Sequence, residues 1–176
     1  RAPRWFSEGL AVYEEHTARS GWGADVGPDF LQAHIEGKLP SPSKLNAAFL
    51  RPTYPRQVIH GYMQGSVFID FLVQEHGFGI INQLLDGFAV GGSLETLSPV
   101  LLGYDLDGLD RRFGEYFSAR FAVPLDALAS EEGQRSHYGQ LLYQAKNALE
   151  ADALELAQQR LLSAQRILPS HTGAGS

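Results

Sequence analysis

Apolar residues recur at helical spacing along the chain, and no segment alternates apolar and polar residues over the length of a strand. Helix caps and glycine stops follow one another at intervals of roughly 20 residues. The fold class we predict is therefore all-α. The longest predicted helix covers residues 56–76. Gly61 and Gly65 lie on one face of it and indicate that another helix packs closely there.

Capping residues, glycines and prolines delimit the other helices. Ser93 is a predicted N-cap, as is either Asp105 or Asp107. Pro124 is predicted to end the helix that Asp105 or Asp107 begins, because proline cannot continue a helix. The helices expected in this part of the chain cover residues 3–16, 28–35, 78–87, 93–102 and 105–121.

The last quarter of the chain is rich in Ala, Leu, Gln and Glu. It predicts two antiparallel helices, 131–149 and 152–168, and Pro169 follows where a helix must end. We therefore divide the chain into a helical domain, 1–123, and a helical hairpin, 124–176. The small and large apolar residues that suit tight pairing of the two hairpin helices are Ala145, Ala148, Ala153, Leu156, Ala157, Leu161, Ala164 and Leu168.

Composition excludes several classes of function. The apolar fraction of 44% supports a packed core, and the net charge is −6. An acidic chain gains no affinity from counterion release, so we expect no nucleic-acid partner. The chain has no cysteine, which excludes a thiol nucleophile and thiolate metal ligands. Its apolar runs are too short for a transmembrane segment.

Glu8 is the carboxylate with the most informative setting. On a helix it lies beside Trp5, Ala11, Val12 and Glu15. A carboxylate among apolar groups is costly unless a positive charge neutralises it, and a metal ion would do so. The alternative is a solvated surface carboxylate, which is the usual position of a glutamate.

The segment 5–13, Trp-Phe-Ser-Glu-Gly-Leu-Ala-Val-Tyr, resembles the helix that carries the third zinc ligand in gluzincin metallopeptidases. Trp5, Glu8, Gly9, Ala11 and Tyr13 stand in the matching places. The resemblance implies a zinc-dependent hydrolase that acts on a peptide or protein substrate. By this resemblance, Glu8 is the zinc ligand, and Gly9 allows two helices to approach closely. Catalytic zinc sites have three protein ligands and an open position for water.

A longer stretch, from Arg1 to Phe121, resembles the peptidase MA-like domains of bacterial repeat-containing proteins. The matching segments are 61–64, 68–72, Gly77, 93–95 and 109–117, in that order. This resemblance implies a gluzincin C-terminal helical subdomain and a parent protein that is exported or membrane-associated. Tyr62 would then be the catalytic residue that donates a hydrogen bond to the substrate oxyanion, with His60 a weaker candidate. The alternative is that Tyr62 is a core tyrosine.

The chain departs from the family because it has no His-Glu-x-x-His motif. None of its six histidines lies four residues from another, so no helix face presents two of them to zinc. We expect this chain to be a fragment that is inactive and without zinc by itself, whereas the parent would be the enzyme. Glu15 is a possible support for the zinc site, and Asp70 is expected to pair with Arg56 or Arg111 or to face solvent.

The tail resembles a first tetratricopeptide-type helix pair through Ala157, Leu161, Ala164 and Pro169. Such a pair needs a neighbour to cover its apolar face, which implies either packing on the helical domain 1–123 or more repeats after Ser176. The C-terminal helices are also a candidate surface for a protein partner. The alternative is a simple C-terminal hairpin. A rival function for the whole chain is a non-catalytic helical module that binds another protein.

Overall fold

The computed structural model describes residues 1–18, 26–151 and 153–167, and every regular element in these ranges is helical. The all-α prediction is confirmed. A 3₁₀ turn, Pro42–Lys44, and a π turn, Ser98–Leu102, accompany the α-helices. The α-helices of the described part are α1 Arg4–Ala18, α2 Pro28–Ile35, α3 Ala47–Leu50, α4 Gln57–His76, α5 Gly79–Ala89, α6 Leu94–Leu97, α7 Leu106–Arg120, α8 Ala122–Ala129, α9 Glu131–Glu150 and α10 Leu154–Ile167.

The chain divides into two compact units, Arg1–Ala122 and Val123–Ser176, which we call unit 1 and unit 2. Unit 1 contains α1 to α7, and unit 2 contains α9, α10 and nearly all of α8. Within the described ranges, none of these helices combines the length and the apolar character that crossing a membrane requires.

Helix α4 is the centre of unit 1. Helices α1, α3, α5 and α7 all pack against it. Phe68 of α4 is fully buried, and its ring lies 4.8 Å from the ring of Trp5, 5.5 Å from Phe113 and 6.1 Å from Phe71, measured between centroids. These aromatic contacts join α1 and α7 to α4 through one side chain.

Two glycines let α1 and α4 approach each other closely. A Cβ atom built on Gly9 would lie 2.5 Å from the backbone carbonyl carbon of Gly65, and one built on Gly65 would lie 2.9 Å from the backbone oxygen of Trp5. Only hydrogen fits at either position. The close packing predicted at Gly65 is confirmed. Gly61 faces α3 instead, where an added Cβ would meet the ring of Phe49 at 3.0 Å.

The predicted caps of two helices are confirmed. The backbone N–H of Thr96 donates to the Ser93 side chain, and the Thr96 hydroxyl accepts from the Ser93 backbone. Asp105, the first of the two alternatives, caps α7 by accepting from Gly108 N–H at 2.9 Å. These contacts satisfy backbone donors that a helix start leaves without partners.

Two predicted boundaries are wrong. Helix α7 ends at Arg120, and Pro124 lies inside α8, so this proline does not end the helix. It is tolerated there because the first turn of a helix needs no backbone N–H from it. The continuous helix predicted over 93–102 is instead the short α6 followed by the π turn Ser98–Leu102.

Unit 2 is built on the pairing of α9 with α10. Small residues are buried in this interface, as predicted for Ala145, Ala148, Ala157 and Ala164. Leu161, on which the repeat resemblance partly rests, points outward with 42% of its surface exposed, and so does Leu156 with the same fraction. Asp152, Leu168 and Pro169 lie outside the described residues.

Candidate functional site

Glu8 lies in the first half of α1 with its side chain 36% exposed. Its helical neighbours differ in burial, since Trp5 is buried whereas Ala11 and Glu15 are exposed. The carboxylate therefore lies at the edge of the packed face of α1. The apolar surroundings that the sequence indicated are present on one side only.

Arg4 supplies a positive charge one turn before Glu8. Its Nε donates a hydrogen bond to Glu8 Oε1 at 3.4 Å. Both side chains are solvent-accessible, 52% for Arg4 and 36% for Glu8, so water screens the pair and it contributes little to stability. The Glu8 carboxylate is thus weakly held and open to solvent.

Tyr62 reaches the same guanidinium from α4. Its half-buried ring stands edge-on to the ring of Phe49, with 5.4 Å between centroids, and Arg4 lies 5.6 Å from the centre of that Phe49 ring. The pKa of Arg4 is raised, mainly by its hydrogen bond and charge interaction with Tyr62 and less by Glu8. Arg4 therefore contacts both predicted site residues.

Arg4 was not among the residues predicted for the site. Its spacing of four residues from Glu8 was the available signal, because side chains at that spacing meet on a helix surface. Its contact with Tyr62 had no such signal, since it depends on how α1 crosses α4.

The described residues do not complete a zinc site. No three His, Asp or Glu side chains among them come close enough together to hold a metal ion. Glu8 offers one carboxylate, whereas a catalytic zinc needs three protein ligands. Glu15 is exposed on the same helix, seven residues after Glu8.

His60 is a structural residue of the α2–α4 contact. It is buried, and its Nδ1 lies 3.1 Å from the Tyr54 hydroxyl while its Nε2 lies 3.3 Å from Asp29 Oδ2. Burial raises the pKa of Tyr54 to about 12, so that hydroxyl keeps its proton at neutral pH. Both ring nitrogens of His60 therefore have partners within unit 1.

Acid is expected to destabilise the protein through His60. Burial lowers the pKa of this imidazole below its ordinary value of 6.5, although Asp29 partly opposes the shift. The unfolded chain therefore takes up the proton at a higher pH than the folded chain does. The resulting stability is fully present above the ordinary pKa and falls as the pH drops through it.

Urea denaturation at about pH 7.5 and about pH 5.5 measures this dependence on either side of the ordinary histidine pKa. We expect a smaller drop in unfolding free energy for His60→Gln than for the parent sequence. An equal drop in the two proteins would assign the dependence to other groups, such as His34, whose pKa burial also lowers.

Asp70 has different partners from those predicted. Arg120 Nη1 lies 2.9 Å from Asp70 Oδ2, and the Tyr116 hydroxyl donates to the same oxygen at 2.6 Å. Arg56, a predicted partner, pairs with Asp29 at 3.0 Å instead. Tyr116 and Arg120 share a face of α7 at a spacing of four residues, so both side chains can reach the same carboxylate.

Comparison with known proteins gives no relative for this chain: no protein-family profile, no curated protein and no solved structure matches it.

Proposed function

We propose that this chain is the helical part of a zinc-dependent metallopeptidase that hydrolyses peptide bonds in peptide or protein substrates. In this proposal unit 1 is a gluzincin-type C-terminal subdomain. Glu8 supplies one zinc ligand, and the Tyr62 hydroxyl donates a hydrogen bond to the substrate carbonyl oxygen as negative charge develops on it. The other zinc ligands belong to sequence beyond the 176 residues.

The observation that carries the proposal is that Glu8 pairs with Arg4, and that Arg4 lies over the Phe49 ring against which Tyr62 packs. Glu8 and Tyr62 are far apart in sequence, and the close approach of Gly9 and Gly65 lets their helices bring them together. The motif resemblance of residues 5–13 singles out Glu8 independently of this geometry. A carboxylate that is exposed and only loosely paired is available to a metal ion, because little energy is lost when Arg4 releases it.

Zinc content of the full-length protein tests the proposal. We expect close to one zinc per chain. Substituting a residue that only hydrogen-bonds to a metal ligand weakens metal binding by about 10- to 100-fold. Because Glu8 would bind the zinc directly, we expect Glu8→Gln to weaken zinc binding by more than this. Glu14→Gln is the matched control, since Glu14 is an exposed carboxylate on the same helix. It should retain the zinc.

Two results would contradict the proposal that the protein is a metallopeptidase. One is a full-length protein without zinc. The other is zinc binding that Glu8→Gln leaves unchanged, which would show that the metal has other ligands.

A non-catalytic interaction module is the second candidate function, and unit 2 favours it. Several large apolar side chains of α9 and α10 are exposed, among them Tyr143 at 67%, Leu154 at 64% and Leu162 at 50%. A protein partner that covered them would gain the free energy of apolar burial. Absence of zinc from the full-length protein would leave this function as the better account of the chain.

A further inference from the structure

A cavity of about 360 Å³ lies in unit 1 between the end of α1, the middle of α4 and the end of α7. This volume is within the range of small-molecule sites. Arg4, Glu8 and Tyr62 do not line it, so it is separate from the candidate zinc-ligand site. The proposed peptidase activity assigns no role to this cavity.

Arg120 is held in a defined orientation at this cavity. Its Nη1 is paired with Asp70 Oδ2 at 2.9 Å, and its guanidinium carbon lies 5.9 Å from the ring centre of Tyr116 and 5.7 Å from that of Phe121. A guanidinium carries five N–H donors, and Nη1 is the nitrogen that meets Asp70 Oδ2. Because the side chain is 48% exposed, its other donors can reach a ligand.

Arg120 supplies the positive charge and the exposed N–H donors at this cavity. The Asp70 side chain is only 14% exposed, and its negative charge is offset by Arg120 and by the hydrogen bond from Tyr116. A planar carboxylate suits a guanidinium in particular, since it can accept two parallel hydrogen bonds.

The same cavity has an apolar wall. Met63 and Val67 of α4 are almost fully buried, and Phe121 lines the cavity with them. We propose that this cavity binds a small carboxylate with a short apolar body. The carboxylate pairs with Arg120, and the apolar body packs on Met63, Val67 and Phe121. The carboxylate belongs either to a free acid or to the C-terminus of a peptide.

Calorimetric titration with three probes tests the proposal on the chain as it stands. N-acetyl-L-leucine carries a carboxylate, N-acetyl-L-leucinamide has the same body without the charge, and 4-methylpentanoate keeps the charge and the side chain without the peptide group. We expect saturable binding of N-acetyl-L-leucine and affinity about tenfold or more weaker for the amide, because charge-assisted hydrogen bonds are lost.

The third probe identifies the source of the carboxylate. Binding of 4-methylpentanoate as tight as that of N-acetyl-L-leucine supports a free acid as ligand, and much weaker binding supports a peptide C-terminus. If neither acid binds saturably, or if the amide binds as tightly as the acid, the proposal is overturned.

Substitutions locate the bound carboxylate. Arg120→Gln should weaken N-acetyl-L-leucine binding about tenfold or more. Arg112→Gln is the matched control, because Arg112 lies on the same helix, is 49% exposed and pairs with Glu75 at 3.2 Å. Unchanged affinity in Arg120→Gln, or equal loss in both variants, would place the ligand elsewhere. The comparison of acid with amide decides the question even if Arg120→Gln fails to fold.

Discussion

Replacing Gly9 with alanine is expected to destabilise unit 1 by about 3 kcal/mol or more, at the upper end of the cost of overpacking. The new methyl group would lie 2.5 Å from the backbone carbonyl carbon of Gly65 and 2.7 Å from its oxygen. Backbone atoms cannot rotate away as a flexible side chain can, so α1 would have to move off α4. Urea denaturation of the variant and the parent sequence measures the difference in unfolding free energy.

The control for Gly9→Ala is Gly114→Ala in α7. Apart from its chain neighbours and the backbone of α7 itself, no heavy atom of the described residues lies within 4 Å of a Cβ built on Gly114, so the methyl group has room. Alanine is the better helix former by about 1 kcal/mol, and this variant should therefore be more stable than the parent. If Gly9→Ala also proved neutral or stabilising, the close crossing of α1 and α4 would be wrong, and with it the geometry that joins Glu8 to Tyr62.

Replacing Phe68 with alanine is expected to cost about 3–5 kcal/mol, as large-to-small substitutions at fully buried aromatic positions do. The Phe68 side chain has no exposed surface, and its ring packs on the rings of Trp5, Phe71 and Phe113. Its removal would leave a cavity at the point where α1 and α7 meet α4. Thermal and urea denaturation, monitored by circular dichroism, would measure the loss.

Phe78→Ala is the matched control for Phe68→Ala, since the Phe78 side chain is 48% exposed at the start of α5. We expect it to change stability by less than about 1 kcal/mol, because much of this side chain stays in water in the folded protein. Similar losses in the two variants would mean that the aromatic cluster is not the main core of unit 1.

The helical class and several local details follow from interactions that can be identified in the sequence alone. Helical periodicity and capping are interactions between residues a few positions apart, and they operate wherever the chain lies in the fold. That is why the Ser93 and Asp105 caps and the small-residue interface of α9 and α10 could be predicted. The close packing at Gly65 could also be predicted, because a glycine within a helix lowers its stability and is expected where another helix needs the space.

Two predictions made from local sequence patterns, a helix end at Pro124 and the packing of Leu161, did not match the structure. Pro124 was predicted to end a helix, but α7 ends before it and the proline lies in the first turn of α8. A proline is compatible with either position, because neither requires a backbone N–H from it. Leu161 fits the pattern of a packed repeat and yet is 42% exposed, since its burial depends on a neighbour that the pattern does not specify.

Contacts between side chains that are distant in sequence depend on how the helices pack. The sequence offered Arg56 and Arg111 as partners for Asp70, but the crossing of α4 and α7 selects Arg120, while Arg56 pairs with Asp29 in α2. The same holds for Arg4, whose contact with Tyr62 exists because two glycines let α1 lie against α4. Charge attraction does not choose among several bases of equal charge; the packing of the helices that carry them does.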